Sequence, residues 1–515
     1  MSWLHHLSVR NMLCACAGLL LLSCFDSRRG PTEADLSAFG KYVYAFDTLE
    51  MNRHIGQILA ADTSSFWGEA DKVVHEHYAT HQPFEALWFT RMGLSADADS
   101  LLVILRHELP LNGLDTTAFH INRIAEALSV THALAFDSLG LNINEVLTQL
   151  DYHLSQAFIR YAVGQRYGFT RPDKLLNRLD LKSEGGYARL FDFTLYSPNY
   201  REAMQALAAD QRIEYLRASS PSSPLYLTLQ QQLSKTADAD KRRTLAINLE
   251  RCRWPAGQPE SKGRRILVNI PAQQLWAIGP DTTINMRICC GTTVTKTPLL
   301  QSAITHIEVN PAWIIPQTII KAEISAHAGD SAYFARHRYS IINRSTGQAL
   351  NPANVTAQQL RAGGLRVSQR GGAGNSLGRI IFRVPNDFAV YLHDTSSRGA
   401  FQRERRTLSH GCIRVQKPFE LATFVLPDAD EWTLERLRLS MDIPPVSDRG
   451  RKYLSEHATN ERPLRLITHQ NVNPHIPVDI TYFTAFPNPE TGTVEFWPDL
   501  YNFDTLLSRH LPLQK

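Results

Sequence analysis

The chain has 515 residues and a nearly balanced charge, with 54 lysines and arginines, 50 aspartates and glutamates and a formal net charge of +4. This balance argues against a dedicated nucleic-acid binder, which concentrates a strong basic excess. Apolar residues make up 43% and charged residues 20%, which excludes wholesale disorder, and seven cysteines are too few for a disulfide scaffold. At about 150 residues per domain, the length predicts three or four domains, or fewer large ones.

Residues 1–24 have the pattern of an export signal. Arg10 precedes an apolar run from Met12 to Leu22, which is about half as long as a bilayer-spanning helix. The sequence Leu21-Leu22-Ser23-Cys24 resembles the cleavage box of a bacterial lipoprotein, so Cys24 is the predicted lipid attachment site. An ordinary secretory signal or an uncleaved anchor are the alternatives, and each places the remaining chain outside the cytoplasm. We therefore expect a cell-envelope or periplasmic protein held at a membrane by an N-terminal lipid.

The stretch 32–250 predicts a helical scaffold domain. Asp115 is a candidate N-cap, and Asn142 and Glu145 have the spacing of a capping box. The apolar stripe that follows has the spacing of a buried helix face: Leu147, Leu150, Leu154, Phe158 and Tyr161. His75, His77 and His81 have no supporting carboxylate pattern, which favours packing or solvated histidines over metal ligands. We find no catalytic constellation in this stretch.

Short β-branched segments begin after residue 263 and predict strands and hairpins. The predicted strands are Arg264–Ile270, Gln273–Ile278, Ile284–Cys290, Ala303–Ile315 and Arg379–His393. Alternation along the last of them places His393 at a strand end, where an exposed catalytic group can be held rigidly. The glycine-rich stretch 371–378 matches no phosphate-binding spacing and predicts a flexible loop.

One constellation has the residue types for covalent catalysis: His393-Asp394 and Ser409-His410-Gly411-Cys412-Ile413-Arg414. A cysteine nucleophile needs a base to form thiolate and donors that stabilise the oxyanion. Arg414 and a helix beginning at Pro418 would both favour thiolate at Cys412. The alternatives are a buried structural cysteine or a zinc site formed by His393, His410 and Cys412. A His-x-Cys pair with one distant histidine falls short of four ligands, which disfavours zinc.

At these residues the chain resembles the YkuD-type L,D-transpeptidases, whose signature is His393, fifteen residues, and then Ser409-His410-Gly411-Cys412. The surrounding residues, with Arg414 two places after the cysteine, are similar to the large YcbB-like branch of that family. Further similar segments are Asn248–Trp254, Val268–Pro271, Thr297-Pro298, Asn310–Trp313, Asn375–Gly378 and Tyr482–Ala485. The resemblance is weak before residue 240 and strong over 248–440 and 476–505.

The resemblance implies an α+β fold in which an N-terminal helical scaffold precedes a mainly β YkuD-type catalytic domain with an inserted capping segment. The implied catalytic domain spans 264–445, its capping insertion lies at about 320–375, and a C-terminal extension, 446–515, packs on the catalytic domain. The implied activity is peptidoglycan remodelling through a cysteine thioester, with formation of 3→3 cross-links between stem peptides. Carbapenem-type inhibitors are expected to acylate the cysteine, and no cofactor, metal or nucleic acid is implied.

Residue roles also follow from the resemblance. Cys412 is the implied nucleophile, and His393 is the implied base that later acts as acid. His410 would orient the site. The residues implied to support the oxyanion or the site are Gly411, Ser409, Arg414 and Asp394, and those implied to bind substrate are Tyr391 and Asn375.

Two departures from the branch stand out. About thirty residues separate Pro221 from Arg251, where a peptidoglycan-binding module is usual, so substrate docking must rest on the catalytic domain and the helical region. The capping segment also has Gln369-Arg370-Gly371 in place of Gln-Pro-Gly. The alternatives for function are an L,D-carboxypeptidase, in which water resolves the acyl-enzyme, and a non-catalytic envelope scaffold. The sequence leaves open the acceptor, the choice of inner or outer membrane and the oligomeric state.

Overall fold

The computed structural model describes residues 46–62, 67–81, 83–90, 93–182, 185–209, 211–254, 263–457 and 465–514. The predicted export signal, with Cys24 as its lipid attachment site, lies outside these residues. The chain divides into two compact units. The helical unit comprises Met1–Thr170, Tyr196–Trp254 and Leu507–Lys515, and the sheet unit comprises Arg171–Leu195 and Pro255–Leu506.

The helical unit is built around one long helix. Its helices are α1 Thr48–Ala61, α2 Glu69–Thr80, α3 Ala96–Leu111, α4 Ile121–His132, α5 Phe136–Leu139, α6 Ile143–Tyr167, α8 Tyr200–Ala208, α9 Arg212–Ser219, α10 Pro224–Lys235 and α11 Ala239–Arg253, and a two-stranded hairpin pairs β1 Phe89–Thr90 with β2 Gly93–Leu94. The predicted stripe from Leu147 to Tyr161 is buried along α6. Asn142 caps α6 by accepting from the backbone N–H groups of Asn144 and Glu145, as predicted.

Two further observations concern these helices. Asp115 was expected to cap α4, but it caps the 3-10 turn Thr116–Phe119 that precedes this helix.

Within the described residues, no helix has the combination of length and apolar character that crossing a membrane requires.

The sheet unit contains a large mixed sheet. Its strands are β3 Phe191–Asp192, β4 Arg265–Asn269, β5 Gln274–Ile278, β6 Thr283–Gly291, β7 Leu299–Val309, β12 Ile380–Arg383, β13 Leu392–His393, β14 Thr407–Ser409, β15 Ile413–Val415 and β16 His469–Thr481. The path runs β12-β13-β15-β6-β5-β4-β16-β7, and β12 also pairs with β7, so the order closes on itself. Two shorter strands, β17 Ala485–Pro487 and β18 Val494–Phe496, form a separate hairpin. Further helices among the described residues are α7 Pro172–Leu176, α15 Pro418–Val425, α16 Glu431–Ser440, α17 Asp448–Glu456 and α18 Phe503–Ser508.

The strand predicted over Arg379–His393 is wrong in its middle. The chain leaves β12 after Arg383 and re-enters the sheet only at Leu392. Asn386 holds the intervening loop, because its amide donates to the carbonyls of Val384 and Val390 while its oxygen accepts from backbone N–H groups. Ala389 adopts a left-handed φ of 54°, which breaks the strand alternation. The strand predicted over Ala303–Ile315 is likewise interrupted at Asn310, where φ is 50°.

The insertion between β7 and β12 folds around a small core of its own. Its sheet has the order β10-β9-β11-β8, from β8 Trp313–Ile314, β9 Tyr339–Asn343, β10 Ala349–Leu350 and β11 Leu365–Gln369, and its helices are α12 Gln317–Ala322, α13 Ser331–Arg336 and α14 Ala357–Arg361. Ile320, Phe334 and Val367 are buried in that core. We call residues 313–369 the capping segment. The helical region followed by the mainly β region confirms the predicted α+β class.

Candidate active site

The residues Ser409 to Cys412 form a tight turn between β14 and β15. Gly411 has a φ of +117°, a conformation that a side chain would strain. The Ser409 hydroxyl bridges the turn, because it donates to the Cys412 carbonyl at 2.5 Å and accepts from the Gly411 N–H at 3.1 Å. The turn is therefore fixed locally, and Cys412 lies at its end with the rigid strand β15 directly after it.

His393 lies on β13, which pairs in parallel with β15. The side chain is only 4% exposed, so the expectation of an exposed catalytic histidine is wrong. Its Nδ1 lies 2.5 Å from the Asp394 carbonyl oxygen, which can only accept, so Nδ1 carries the proton in the neutral ring. The ring also has a backbone hydrogen bond with Leu377. Burial, and then the charge of Arg414, lower the pKa of His393 to about 4, which keeps the imidazole neutral at neutral pH.

Cys412 is not held as a thiolate. Burial raises the pKa of its thiol, and the opposing contributions of Tyr391, Arg383 and Arg414 do not reverse this direction. Arg414 lowers the pKa of the Cys412 thiol, as expected, but removal from water outweighs this charge in the resting site. The contribution of the helix at Pro418 stays a prediction. The thiol lies 3.8 Å from the carbonyl oxygen of Ala389, at the distance of a weak S–H hydrogen bond.

Tyr391 lies beside both proposed catalytic groups. Its side chain hydrogen-bonds the Cys412 thiol, and burial followed by the Cys412 charge raises its own pKa. The ring packs edge-on to His393 with centroids 5.7 Å apart, and the Arg383 guanidinium lies 5.0 Å from the Tyr391 ring centre. Tyr391 was predicted as a substrate contact, and its placement adds a direct contact with the thiol.

The turn is also held by hydrogen bonds from residues that the sequence analysis did not identify as functional. The Thr297 hydroxyl donates to the Gly411 carbonyl at 2.8 Å and accepts from the Gly291 N–H at 2.8 Å. The Tyr501 hydroxyl accepts from the Thr297 N–H at 3.2 Å and donates to the Gly291 carbonyl at 2.7 Å. Thr295 donates to the Ser409 carbonyl at 2.9 Å. Thr297-Pro298 appeared in the sequence only as a similar segment, and nothing in the sequence pointed to Tyr501.

His410 contacts the capping segment. It is exposed, and its Nε2 lies 2.6 Å from the Glu323 carboxylate of the capping segment. The expected role of His410 in orienting the catalytic pair therefore receives no support from its contacts, which connect the turn to the capping segment.

Asp394 and Asn375 are supports of the backbone. The Asp394 carboxylate accepts from the Arg379 N–H at 2.8 Å, pairs with Arg398 at 3.1 Å and packs so closely on Gly378 that a Cβ there would lie 2.3 Å from it. Asn375 is fully buried, and its side chain bonds the backbone of Pro311, Gln369, Arg370 and Leu377. Its predicted contact with substrate would require these bonds to break. Arg414, on β15 beside His393, acts on the site through its charge.

The composition of the site indicates acyl transfer. Within the ranges that the structure describes, no three histidine, cysteine or acidic side chains converge as a metal-binding group. A neutral imidazole, a thiol and a tight glycine turn on adjacent strands are components found in cysteine-dependent acyl-transfer enzymes.

Comparison with known proteins identifies two matching domains. Residues 263–437 match the L,D-transpeptidase catalytic domain (YkuD), and residues 72–233 match the Scaffold domain. A Haemophilus influenzae protein named "Putative L,D-transpeptidase" is 29% identical over 308 residues, a match that covers 58% of this chain and 57% of that protein. The chain thus carries a YkuD-type L,D-transpeptidase catalytic domain together with a Scaffold domain, as the sequence resemblance implied.

Proposed function

We propose that this protein is a peptidoglycan L,D-transpeptidase that forms 3→3 cross-links through a thioester on Cys412. The observation that carries the proposal is the neutral His393 imidazole, with its lone pair on Nε2, on the strand next to the turn that holds a protonated Cys412. The proposed donor is a tetrapeptide stem, and the proposed acceptor is the side-chain amine of a second stem.

In the proposed reaction the proton moves as the bond forms, because neither group is ionised at rest. His393 Nε2 takes the Cys412 proton while the sulfur attacks the carbonyl of meso-diaminopimelate at stem position 3. The imidazolium then donates that proton to the leaving nitrogen of D-alanine, and the thioester remains. In the second half, His393 takes a proton from the attacking amine and returns it to the sulfur as the new amide forms. Backbone N–H groups around Gly411 and Cys412 would hold the oxyanion in both halves.

The test is to incubate the purified protein with disaccharide-tetrapeptide and to analyse the products by mass spectrometry. Cross-linked dimers are expected. Tripeptide without dimers would instead identify an L,D-carboxypeptidase, and unchanged substrate would favour a non-catalytic envelope scaffold and contradict both enzymes.

We also propose that the protein acts in the periplasm, held to a membrane by a lipid on Cys24. The proposal rests on the apolar run and the Leu21–Cys24 box. Labelling cells with a radioactive fatty acid should mark the wild-type chain and leave the Cys24→Ser chain unmarked. Equal labelling of the two chains would contradict lipidation at this residue.

A further inference from the structure

The helical unit contains a cavity of about 970 Å³ that the proposed reaction does not use. It is lined by residues of α1, α4 and α6 together with the C-terminal segment Leu511–Leu513, all of which belong to this unit. Apolar walls come from Ile58, Val130 and Leu150. A cavity of this size with a few convergent polar groups is typical of a small-ligand site.

Two charged side chains on the cavity wall have no partner among the described residues. Arg123 and Glu126 stand one turn apart on α4, line the cavity, are exposed, and make neither a hydrogen bond nor an ion pair within the parts of the chain described. A cation and an anion are thus available at the cavity wall.

The surrounding residues hold this wall in place. Arg160 binds Asp71 through two hydrogen bonds, at 2.6 and 2.9 Å, and its Nη1 donates to His120 Nε2 at 2.9 Å. The rings of His120 and His153 lie 4.4 Å apart. Asp62 accepts from the Tyr152 hydroxyl at 2.6 Å and from Gln156 at 2.9 Å. Because these side chains are already bonded, a ligand would meet a preformed surface.

We propose that this cavity binds the stem peptide of peptidoglycan, a short zwitterionic peptide, as a docking site separate from Cys412. The identity of the ligand rests on the proposed function. Arg123 pairs with a carboxylate of the peptide, Glu126 pairs with the ammonium group of its diaminopimelate, and the small alanine side chains contact the apolar walls. This site supplies the docking that the sequence, without an evident peptidoglycan-binding module, assigns to the catalytic domain and the helical region.

Photo-crosslinking of the full-length protein tests the proposal. The probe is the free tetrapeptide L-Ala-D-Glu-meso-diaminopimelate-D-Ala carrying a diazirine on its first residue, and tryptic mass spectrometry locates the adducts. We expect adducts on segments 115–130 and 146–160, at least tenfold fewer in Arg123→Gln and Glu126→Gln, and an unchanged yield in Arg106→Gln, which alters an exposed arginine on α3 outside the cavity. Excess unlabelled tetrapeptide should compete, and tetrapeptide with acetylated amines and amidated carboxylates should not.

Adducts that are absent from both segments, or equally abundant in Arg123→Gln and Arg106→Gln, would overturn the docking site. Circular dichroism of each variant checks that the helices remain folded. Adducts near Cys412 and the product analysis of the wild-type protein report on the proposed reaction separately. The experiment can therefore show turnover without adducts in the helical unit, which contradicts only the docking site. It can also show these adducts without turnover, which contradicts only the proposed reaction.

Discussion

The two units of this protein bury imidazoles in similar surroundings, and in the sheet unit one of these imidazoles, His393, lies on the strand that pairs with β15, which begins directly after Cys412. In the sheet unit, burial and Arg414 lower the pKa of His393 to about 4. In the helical unit, burial is also the main cause that lowers the pKa of His120 to about 3 and that of His153 to about 4, with nearby arginines adding to it. A lowered pKa alone therefore reports a dry, cationic environment and does not identify a catalytic group.

The hydrogen bonds separate the two sites. In the neutral ring His393 donates through Nδ1 to the Asp394 carbonyl, which leaves the lone pair on Nε2, and the ring also has a backbone hydrogen bond with Leu377. The corresponding nitrogen of His120 accepts from Arg160 and is therefore occupied. The combination of tautomer and neighbouring nucleophile, more than the pKa shift, distinguishes a base from a structural histidine.

The largest expected effect comes from removing the nucleophile. Cys412→Ala should lower turnover by at least about a thousandfold, because no other group can form the thioester. Carbapenem adducts should disappear with it when the intact protein is weighed by mass spectrometry. Cys289→Ala, which alters a buried cysteine on β6, should retain both. An adduct that persists on Cys412→Ala would assign the nucleophile elsewhere.

The pH dependence of turnover tests the environment of His393. Because the protonated imidazole cannot accept the thiol proton, kcat/KM should fall as the pH drops through about 4, and activity should persist between that value and the ordinary histidine pKa of about 6.5. Arg414→Gln removes a positive charge that opposes protonation, so the acid limb should move toward higher pH.

Arg405→Gln, which alters an exposed arginine between the two motifs, is the control and should leave the limb in place. A wild-type limb near 6.5, or one that does not respond to Arg414→Gln, would contradict the electrostatic account of this site.

How much of the site the sequence could predict depends on how far apart the interacting residues are. The signature around His393 and Cys412 predicted the candidate catalytic pair, and short β-branched segments separated by proline or glycine predicted the strands from Arg265 to Gly291. The bond between Thr297 and Tyr501 joins residues 204 positions apart, and no local spacing encodes it.

The burial of His393 and the loop around Asn386 could not be predicted, because the first depends on tertiary packing and the second on which hydrogen bonds the backbone forms. The burial of His393 follows from strands packed on either side, so a strand-end position alone could not give its exposure. The Asn386 loop replaced strand pairing because one side chain satisfied the backbone groups of Val384, Phe388 and Val390. The sequence does not show which of these two sets of hydrogen bonds, strand pairing or bonds to Asn386, is the more stable.

Thr297→Val should lower kcat about tenfold. The change keeps the shape of the side chain and leaves the buried Gly411 carbonyl without its 2.8 Å donor, a loss of order 1–3 kcal/mol. Thr297→Ser retains the hydroxyl and should restore most of the rate. Steady-state kinetics should show the loss mainly in kcat, because Thr297 positions the turn and does not contact substrate. A loss confined to KM, or a serine variant as slow as the valine variant, would contradict a positioning role.

A prediction that does not involve turnover concerns the stability of the helical unit in acid. His153 has a lower pKa folded than unfolded, so the unfolded state binds more protons, and stability should fall from about pH 6.5 down to about pH 4. This contribution is about 3 kcal/mol. In thermal scans, the melting temperature of His153→Gln should therefore fall less between pH 7 and pH 4.5 than that of the wild type. His132→Gln, an exposed control, should follow wild type. Burial raises the pKa of Asp151 to about 6, so Asp151 acts in the opposite direction, but it is common to all three proteins. If His153→Gln lost as much stability in acid as the wild type, the His153 imidazole would have to be accessible to water in the folded protein.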